Sequence, residues 1–435
     1  MLGFLFTKTP LMFFVQSFWR DEAFSYLLAK RNVLEILFLT AKDFNPPLYY
    51  LILHYWMKLF GPSEIALRSL SLIFYLGTVY VVFLFLTNIL KISFKKSLLY
   101  LLLSVLNPLL LYYAFEARMY TMLAFFVTLS YYFFYKKNSL LYFLSSVLGL
   151  YTHYFMIFVV FAQAIFLFLT NKKKTDLNQY LRIIYPLLLF IPWFVFVLLN
   201  KNVTSESFWI EKITFDTVKR FFGTLFTGYE KDYGFFEKLI LTLSIGLFFF
   251  FGYGAVSVLK DKRPKKMMFL YLSLWGIGIP LLVLIISFYK PLFLTRYLIF
   301  AGVGLNLLMV FLLERLGVFF RYLIFILLLI ISINYINLQV KEWKKSDYRK
   351  LFREIKVLAK KDDLLYVTNE LDYFTAQYYF YENRVFIYKK TYEEIPNFVG
   401  KVLIPKSKVV NTLPSYPKKA FIITSDSHYD IQAAF

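Results

Sequence analysis

A chain of 435 residues that is 59% hydrophobic and 22% aromatic, with 17% charged residues, falls below the roughly 25% charge of soluble domains. Its uncharged tracts match the ~20 residues of a membrane-crossing helix rather than the short alternating segments of a barrel. The net charge of +22 sits largely in clusters between those tracts, which marks cytoplasmic loops first and attraction to anionic headgroups second, and leaves no nucleic-acid-binding stripe.

There is no cysteine, so disulfides, thiol catalysis and thiolate metal sites are excluded. Met1 to Trp19 is a poor first span, interrupted by Lys8, Pro10 and Gln16; it reads as a tilted helix or as a start placed too late. No small-residue cleavage site follows it, so it is not a cleavable signal. Trp19-Arg20-Asp21-Glu22-Ala23 then sets two adjacent carboxylates at the span edge. There they are either solvated helix-start charges that complement the macrodipole or part of a site. Asp21 to Lys42 mixes charge with Phe24, Leu27, Leu34 and Leu37, as interfacial helices do. In Asp43-Phe44-Asn45-Pro46-Pro47-Leu48-Tyr49-Tyr50 the prolines predict a fixed turn and a helix start, with Asp43 and Asn45 on the loop side.

Further spans are predicted over Ser69 to Leu90, Ser97 to Phe115 and Met119 to Tyr135. The uncharged tract from Asn138 to Asn171 is split near Gly149 to His153 into an outward and an inward crossing. Ile183 to Asn200, Leu239 to Leu259, Met267 to Tyr289, Tyr297 to Leu313 and Tyr322 to Val340 follow, for about 11 spans in all. The basic clusters Lys95-Lys96, Lys136-Lys137, Lys172 to Lys174 and Lys262 to Lys266 fall inside, with the amino end in the cytoplasm and the carboxyl end outside. Lys201 to Lys238, with Phe208, Trp209, Phe221 and Phe222 among charges, predicts interfacial helices over a site. From Lys341 onward the composition turns soluble. A basic amphipathic helix over Asp347 to Lys361, strands at Leu364 to Thr368, Val385 to Tyr388 and Ala420 to Thr424, and a helix at Tyr373 to Tyr381 predict a small α/β domain. The expected organisation is thus a membrane unit over 1–340 and an extracytoplasmic unit over 341–435.

An orientation set by lysines and apolar lengths alone puts Asp21, Glu22, Asp43, Asn45, Glu116, Arg118, His153 and Arg296 on one side. Carboxylates that can take a proton then sit with cations that can hold an anion, at the mouth of a bundle adjoining lipid. This suits transfer from a lipid-linked phosphate donor. Each residue also has a structural reading. Asp43 can cap the helix at Pro46-Pro47, Glu116 and Arg118 can close a helical hairpin as a salt bridge, His153 can be an interfacial polar residue, and Arg296 can snorkel. A divalent metal could be held among Asp21, Asp43, Glu116 and His153, although their spacing does not demand one. No glycine-rich phosphate loop appears.

Trp19 to Ser25, Asp43 to Tyr50, Phe60-Gly61-Pro62-Ser63-Glu64 with Arg68, Glu116-Ala117-Arg118-Met119-Tyr120 and Leu150 to Phe155 together resemble the GT-C glycosyltransferases. The resemblance is to their family 39 branch, related to protein O-mannosyltransferases and aminoarabinose transferases. It runs in order over the first 170 residues or so, with Arg296-Tyr297 as a later echo. It implies a mainly α, polytopic transmembrane bundle, a large first outer loop, a polyprenyl-phosphate sugar donor and inversion at the anomeric carbon. By the resemblance Asp21 falls on the catalytic carboxylate, with Glu22, Asp43 and Glu116 as accompanying acids. Asn45, Arg118, Tyr120, His153, Tyr154, Arg296 and Tyr297 are expected to bind substrate. Asn45 stands where relatives commonly carry His. The expected partners are the lipid-linked donor, a glycan, lipid or protein acceptor and membrane lipids. The competing readings are a lipid-linked glycan transporter or flippase and an inactive relative.

Overall fold

The computed structural model describes residues 2–43, 45–170, 177–200, 209–229, 235–424 and 428–434. Phe44, the cluster Lys172 to Lys174 and Phe208 lie outside the described residues. The chain opens with two short helices, α1 (Leu2–Lys8) and α2 (Met12–Val15). Neither is long enough to cross a bilayer, so the expected first span is not formed as one helix. Thr9-Pro10 falls at the break, where proline supplies no amide proton to a continuing helix.

Three helices follow, α3 (Arg20–Ala29), α4 (Val33–Lys42) and α5 (Leu48–Phe60). Small polar residues start several of the elements here and beyond. The Asn32 side chain accepts from the Glu35 amide at 2.9 Å, and Ser63 accepts from Ala66 at 3.2 Å to begin α6 (Glu64–Asn88). That cap starts the helix five residues before the apolar tract and carries Arg68 into it. Next come α7 (Phe94–Val105) and α8 (Pro108–Ala114). They form a pair bent by 71° where a straight span was expected. Pro108 occupies the first turn and the Asn107 side chain accepts from the Leu110 amide at 3.0 Å, so the sequence caps a new helix.

The apolar helices α9 (Tyr120–Tyr135), α10 (Ser139–Thr152) and α11 (Met156–Thr170) follow, and the break at His153 matches the expected split. After them come α12 (Leu177–Asn200), the short α13 (Phe215–Lys219) and α14 (Phe221–Thr227), then α15 (Phe235–Leu259). A run of α16 (Arg263–Ser273), a π turn over Leu274–Gly278 and α17 (Ile279–Ser287) precedes α18 (Ile299–Leu313) and α19 (Val318–Glu342). Among the described residues six helices are long and apolar enough to span, seven with the bent pair, and α9, α10 and α11 are shorter apolar helices. The protein is a multi-pass membrane protein. In the run that includes α18, 83% of residues are buried, against 28 to 44% in the other five long helices, so α18 is the axis of the bundle.

Three helices fix the direction of the bundle. α6 leads away from Arg68 toward Lys91 and Lys95, α9 from Tyr120 toward Lys136, and α18 from Arg296 toward Glu314 and Arg315. The basic clusters and the Arg68, Tyr120 and Arg296 layer therefore lie at opposite ends of α6, about 37 Å long at 1.5 Å per residue. At the basic end Lys96 and Arg321 reach Glu314 at 3.3 and 3.4 Å.

After α19 come α20 (Tyr348–Leu358), α21 (Tyr373–Tyr379) and a sheet of β1 (Leu364–Val367), β2 (Val385–Tyr388), β3 (Val409–Val410), β4 (Ala420–Ile423) and β5 (Tyr429–Gln432). The strand order is β3-β2-β1-β4-β5. β1 lies parallel to β2 and β4, with Leu365 opposite Val385 and Phe421, and only β5 is antiparallel. Polar β5 and two-residue β3 carried no readable signal. This lobe docks on α3 and the segments flanking it. Tyr378 packs on Phe18 and Tyr26 with ring centroids 4.7 and 4.8 Å apart, the Phe18 amide donates to the Tyr379 hydroxyl at 2.7 Å, and Arg349 reaches Glu64 at 2.8 Å.

A glycine permits one close helix crossing. A Cβ on Gly276 would lie 2.6 Å from the Leu305 amide nitrogen, where no side chain can yield. Gly276→Ala is therefore expected to lower the thermal midpoint of the detergent-purified protein by several degrees, corresponding to roughly 1–3 kcal/mol of overpacking. Gly246→Ala, with nothing within 4 Å of the added atom, is expected to leave the midpoint unchanged or raise it.

Candidate active site between the bundle and the carboxy-terminal lobe

One carboxylate ties the site together. Glu22, in the first turn of α3, is fully buried. It receives Arg68 in a two-pronged bond, Nε to Oε1 and Nη2 to Oε2 at 2.7 Å each, as well as Lys345 at 2.8 Å and the Ala117 amide at 3.0 Å. Arg68 donates on to the carbonyls of Phe14, Gln16 and Ser17 at 3.1, 2.6 and 3.2 Å. Burial pushes the Glu22 carboxyl up, but Arg68 and Lys345 outweigh it and hold the group at about 2, so it is ionised. The entry to α3, the start of α6, the turn before α9 and the segment after α19 thus meet on one side chain.

Asp21 is the next residue, and consecutive helical residues point about 100° apart. With Glu22 turned into the protein, Asp21 faces an open cleft, its side chain 24% exposed. Arg20 lies beside it at 3.5 Å. Arg118 donates through Nη1 to the Asp21 carbonyl and to Ser25 Oγ, both at 3.3 Å. Its Nε is buried with no hydrogen-bond partner among the described residues, and so is the Nε of Arg296. Arg296 rests over Trp209 and Tyr297, 4.8 and 5.7 Å from their ring centroids. Burial raises the Asp21 carboxyl, but Arg118, Arg296 and Arg20 together more than offset it and leave the group below its ordinary value. A carboxylate that stays ionised beside two guanidiniums with unused donors can accept a proton while they bind an anion.

Of the expected residues, Asp21, Asp43, Asn45, Arg118, Tyr120, Arg296 and Tyr297 line this one cleft, which encloses about 740 Å³ of space, part of it open to solvent. Four do not. Glu22, expected to accompany Asp21, is committed to its internal partners and does not line the cleft. Glu116 is 1% exposed, with both oxygens unpartnered among the described residues. Burial, opposed by Lys345 and aided by Glu22 and Asp21, holds it at about 7. Ala117 and Arg118 bind α3 on either side of the chain, which fixes Glu116 behind the cleft. His153 is buried behind it as well, its Nδ1 accepting from the Phe155 amide at 3.2 Å and its ring against Tyr297. Burial, with Arg118 nearby, lowers it to about 3, so it is a neutral packing residue. Tyr154 packs on Phe190 instead. Among the described residues no three His, Asp or Glu side chains gather closely enough to hold a metal ion. Asp21 and Asp43 are in the cleft, whereas Glu116 and His153 lie outside it.

Sequence reading assigned no role to Arg68 or Lys345, and while it set Trp209 over a site it did not place Phe374, Phe398 or Gly400 in the cleft. Arg68 was visible inside a motif but lay outside the expected span. The last three belong to the cleft only because the carboxy-terminal lobe docks on α3, and no local pattern reports that.

No family model matches the chain, and no curated protein sequence matches it. Its structure is similar to the apo crystal structure of ArnT from Cupriavidus metallidurans, with a TM-score of 0.64 at 11% identity over 94% of this chain and 88% of that one. The same transferase bound to undecaprenyl phosphate aligns over 97% of this chain and 93% of that one with a TM-score of 0.48 at 11% identity. The apo comparison alone therefore sets the likeness, which is one of fold. The chain has the fold of that structure.

Removing the charge of Glu22 leaves Arg68 and Lys345 buried together without their anion. Glu22→Gln is expected to cost about 3–5 kcal/mol, read as a large drop in the thermal midpoint in detergent. A variant that melts like the wild type would show that the carboxylate does not hold the four segments.

Proposed function

We propose that the protein is an integral-membrane glycosyltransferase that moves a sugar from a polyprenyl-phosphate donor to an acceptor hydroxyl, with Asp21 as general base. The observation that carries this reading is the pairing, in one cleft, of an ionised Asp21 with two guanidiniums whose buried Nε atoms have no partner among the described residues. Unused donors on buried cations are costly unless an anion takes them up, and a phosphate oxygen fits a guanidinium better than any other common anion except a carboxylate. The GT-C resemblance of the motifs, and the fold shared with ArnT, supply the reaction class.

In this reading the acceptor oxygen attacks the anomeric carbon as its proton passes to Asp21. The bond from that carbon to the phosphate oxygen breaks, and the charge that develops on the departing polyprenyl phosphate is met by Arg118 and Arg296. Attack from the side opposite the leaving phosphate inverts the anomeric carbon, whether the sugar is a hexose or a pentose. Asp43 and Asn45 sit where sugar hydroxyls need partners. Glu22 and Lys345 act through position, by turning Asp21 into the cleft.

The reading also places the cleft on the extracytoplasmic side. Lys91, Lys95, Lys96, Lys136, Arg315 and Arg321 collect at the opposite end of the bundle, and short basic loops stay in the cytoplasm. A flippase would carry its charges along a path through mid-membrane, whereas here the candidate groups share one end.

With purified protein and an undecaprenyl-phosphate-linked sugar, Asp21→Asn is expected to slow transfer roughly 100- to 10,000-fold with the donor still bound. Retained transfer would remove Asp21 from the base role. Arg296→Gln deletes a charge-assisted contact, so undecaprenyl phosphate is expected to bind about 10- to 100-fold more weakly. Unchanged affinity would take the phosphate away from this cation.

A further inference from the structure

The proposed transfer needs a second substrate, and the cleft has a wall that a phosphate would not use. Beside Asp21, Arg118 and Arg296, part of the lining comes from the carboxy-terminal lobe, from the turns around α21 and from the segment near Gly400. Phe374 meets Phe24 edge to face with centroids 5.4 Å apart, and Phe398 leans on Trp209 at 6.5 Å. Gly400 has a φ of +86°, in the left-handed region, and an added Cβ would lie 2.6 Å from the Phe24 ring. A glycine is therefore what lets this turn come down onto the aromatic side of α3.

The result is a chamber with two unlike faces. One is a wall of aromatic side chains, with Phe398 itself 38% exposed. The other carries Arg20, Asp21, Asp43 and Asn45, which donate and accept hydrogen bonds. A sugar ring has the same two-sidedness, since its C–H face is apolar and its rim is hydroxylated. An acyl chain would leave the polar face unanswered. One common way of holding an extended peptide adds it to a strand edge, and the edge strands β3 and β5 contribute no residue to the cleft.

We propose that the acceptor is a saccharide, its ring laid against Phe398 with one hydroxyl presented to Asp21. This rests on the glycosyl-transfer reading above and specifies its acceptor. The acceptor O–H bond breaks and its proton goes to Asp21, the oxygen forms the new bond to the anomeric carbon, and the bond to the phosphate oxygen breaks to release polyprenyl phosphate. No other reactant is needed.

The test is binding of the full chain, purified in detergent, to an array of neutral and anionic oligosaccharides and to Ser/Thr-containing peptides. Binding of undecaprenyl phosphate is measured in parallel. Wild-type protein is expected to hold a subset of the oligosaccharides, and Phe398→Ala to weaken that binding roughly three- to tenfold, the range of one aromatic contact. Because Phe398 is exposed, the variant is expected to keep the wild-type thermal midpoint, so weaker binding would not reflect unfolding. Refusal of every oligosaccharide, equal binding by the variant, or peptide binding that depends on Phe398 would each overturn the saccharide assignment. If undecaprenyl phosphate is bound while glycans are refused, only the acceptor is wrong. If the wild-type protein does not bind undecaprenyl phosphate, the transferase reading itself falls.

Discussion

A buried carboxylate without counter-charges is among the most expensive things a fold can contain, and Glu22 meets that constraint with two cations and a backbone amide. The cations come from α6 and from the segment after α19, so satisfying one side chain draws distant parts of the chain to the same point. Replacing such a cluster with apolar side chains could be as stable. What the ionic form adds is direction. The carboxylate accepts only along its lone pairs, which fixes the rotation of α3 about its axis and thereby the side on which Asp21 emerges. Two adjacent acids with opposite fates follow from a single helical step.

The cations of the cleft divide in a similar way. Arg68 has its donors committed to one carboxylate and three carbonyls, so it belongs to the framework. Arg118 and Arg296 each keep a buried Nε without a partner among the described residues while their planes are supported by Ser25, Tyr120, Trp209 or Tyr297. A guanidinium held in place but not fully bonded is pre-organised for a ligand, since it loses little freedom when an anion arrives.

Much of the membrane architecture was legible because hydropathy and length are local properties. The break at His153, the apolar helices flanking it and the strands at Leu364, Val385 and Ala420 fall where the residues predicted them. The discrepancies have physical causes. Asn107-Pro108 is a cap signal inside an apolar run, so a straight span became a bent pair, and Ser63 starts α6 early because its hydroxyl can cap. Within the site, Asp21, Asp43, Arg118 and Arg296 were named correctly as neighbours from topology. Glu22, Glu116, His153 and Tyr154 were grouped with them because a topology resolves sides of a membrane and not the facing of a side chain. Lys345 and Phe398 carried no signal at all, since what brings them in is the docking of α21 on α3.

That docking bears on when the molecule becomes competent. Lys345 follows the last membrane helix, and the aromatic roof lies later still, so a chain emerging from the ribosome inserts Glu22 and Arg68 long before either arrives. Until α19 has entered the bilayer and the lobe beyond it has folded, the cleft lacks the wall that the lobe supplies. The cleft is thus complete only after the last fifth or so of the chain has been made and has docked on a helix laid down at its beginning.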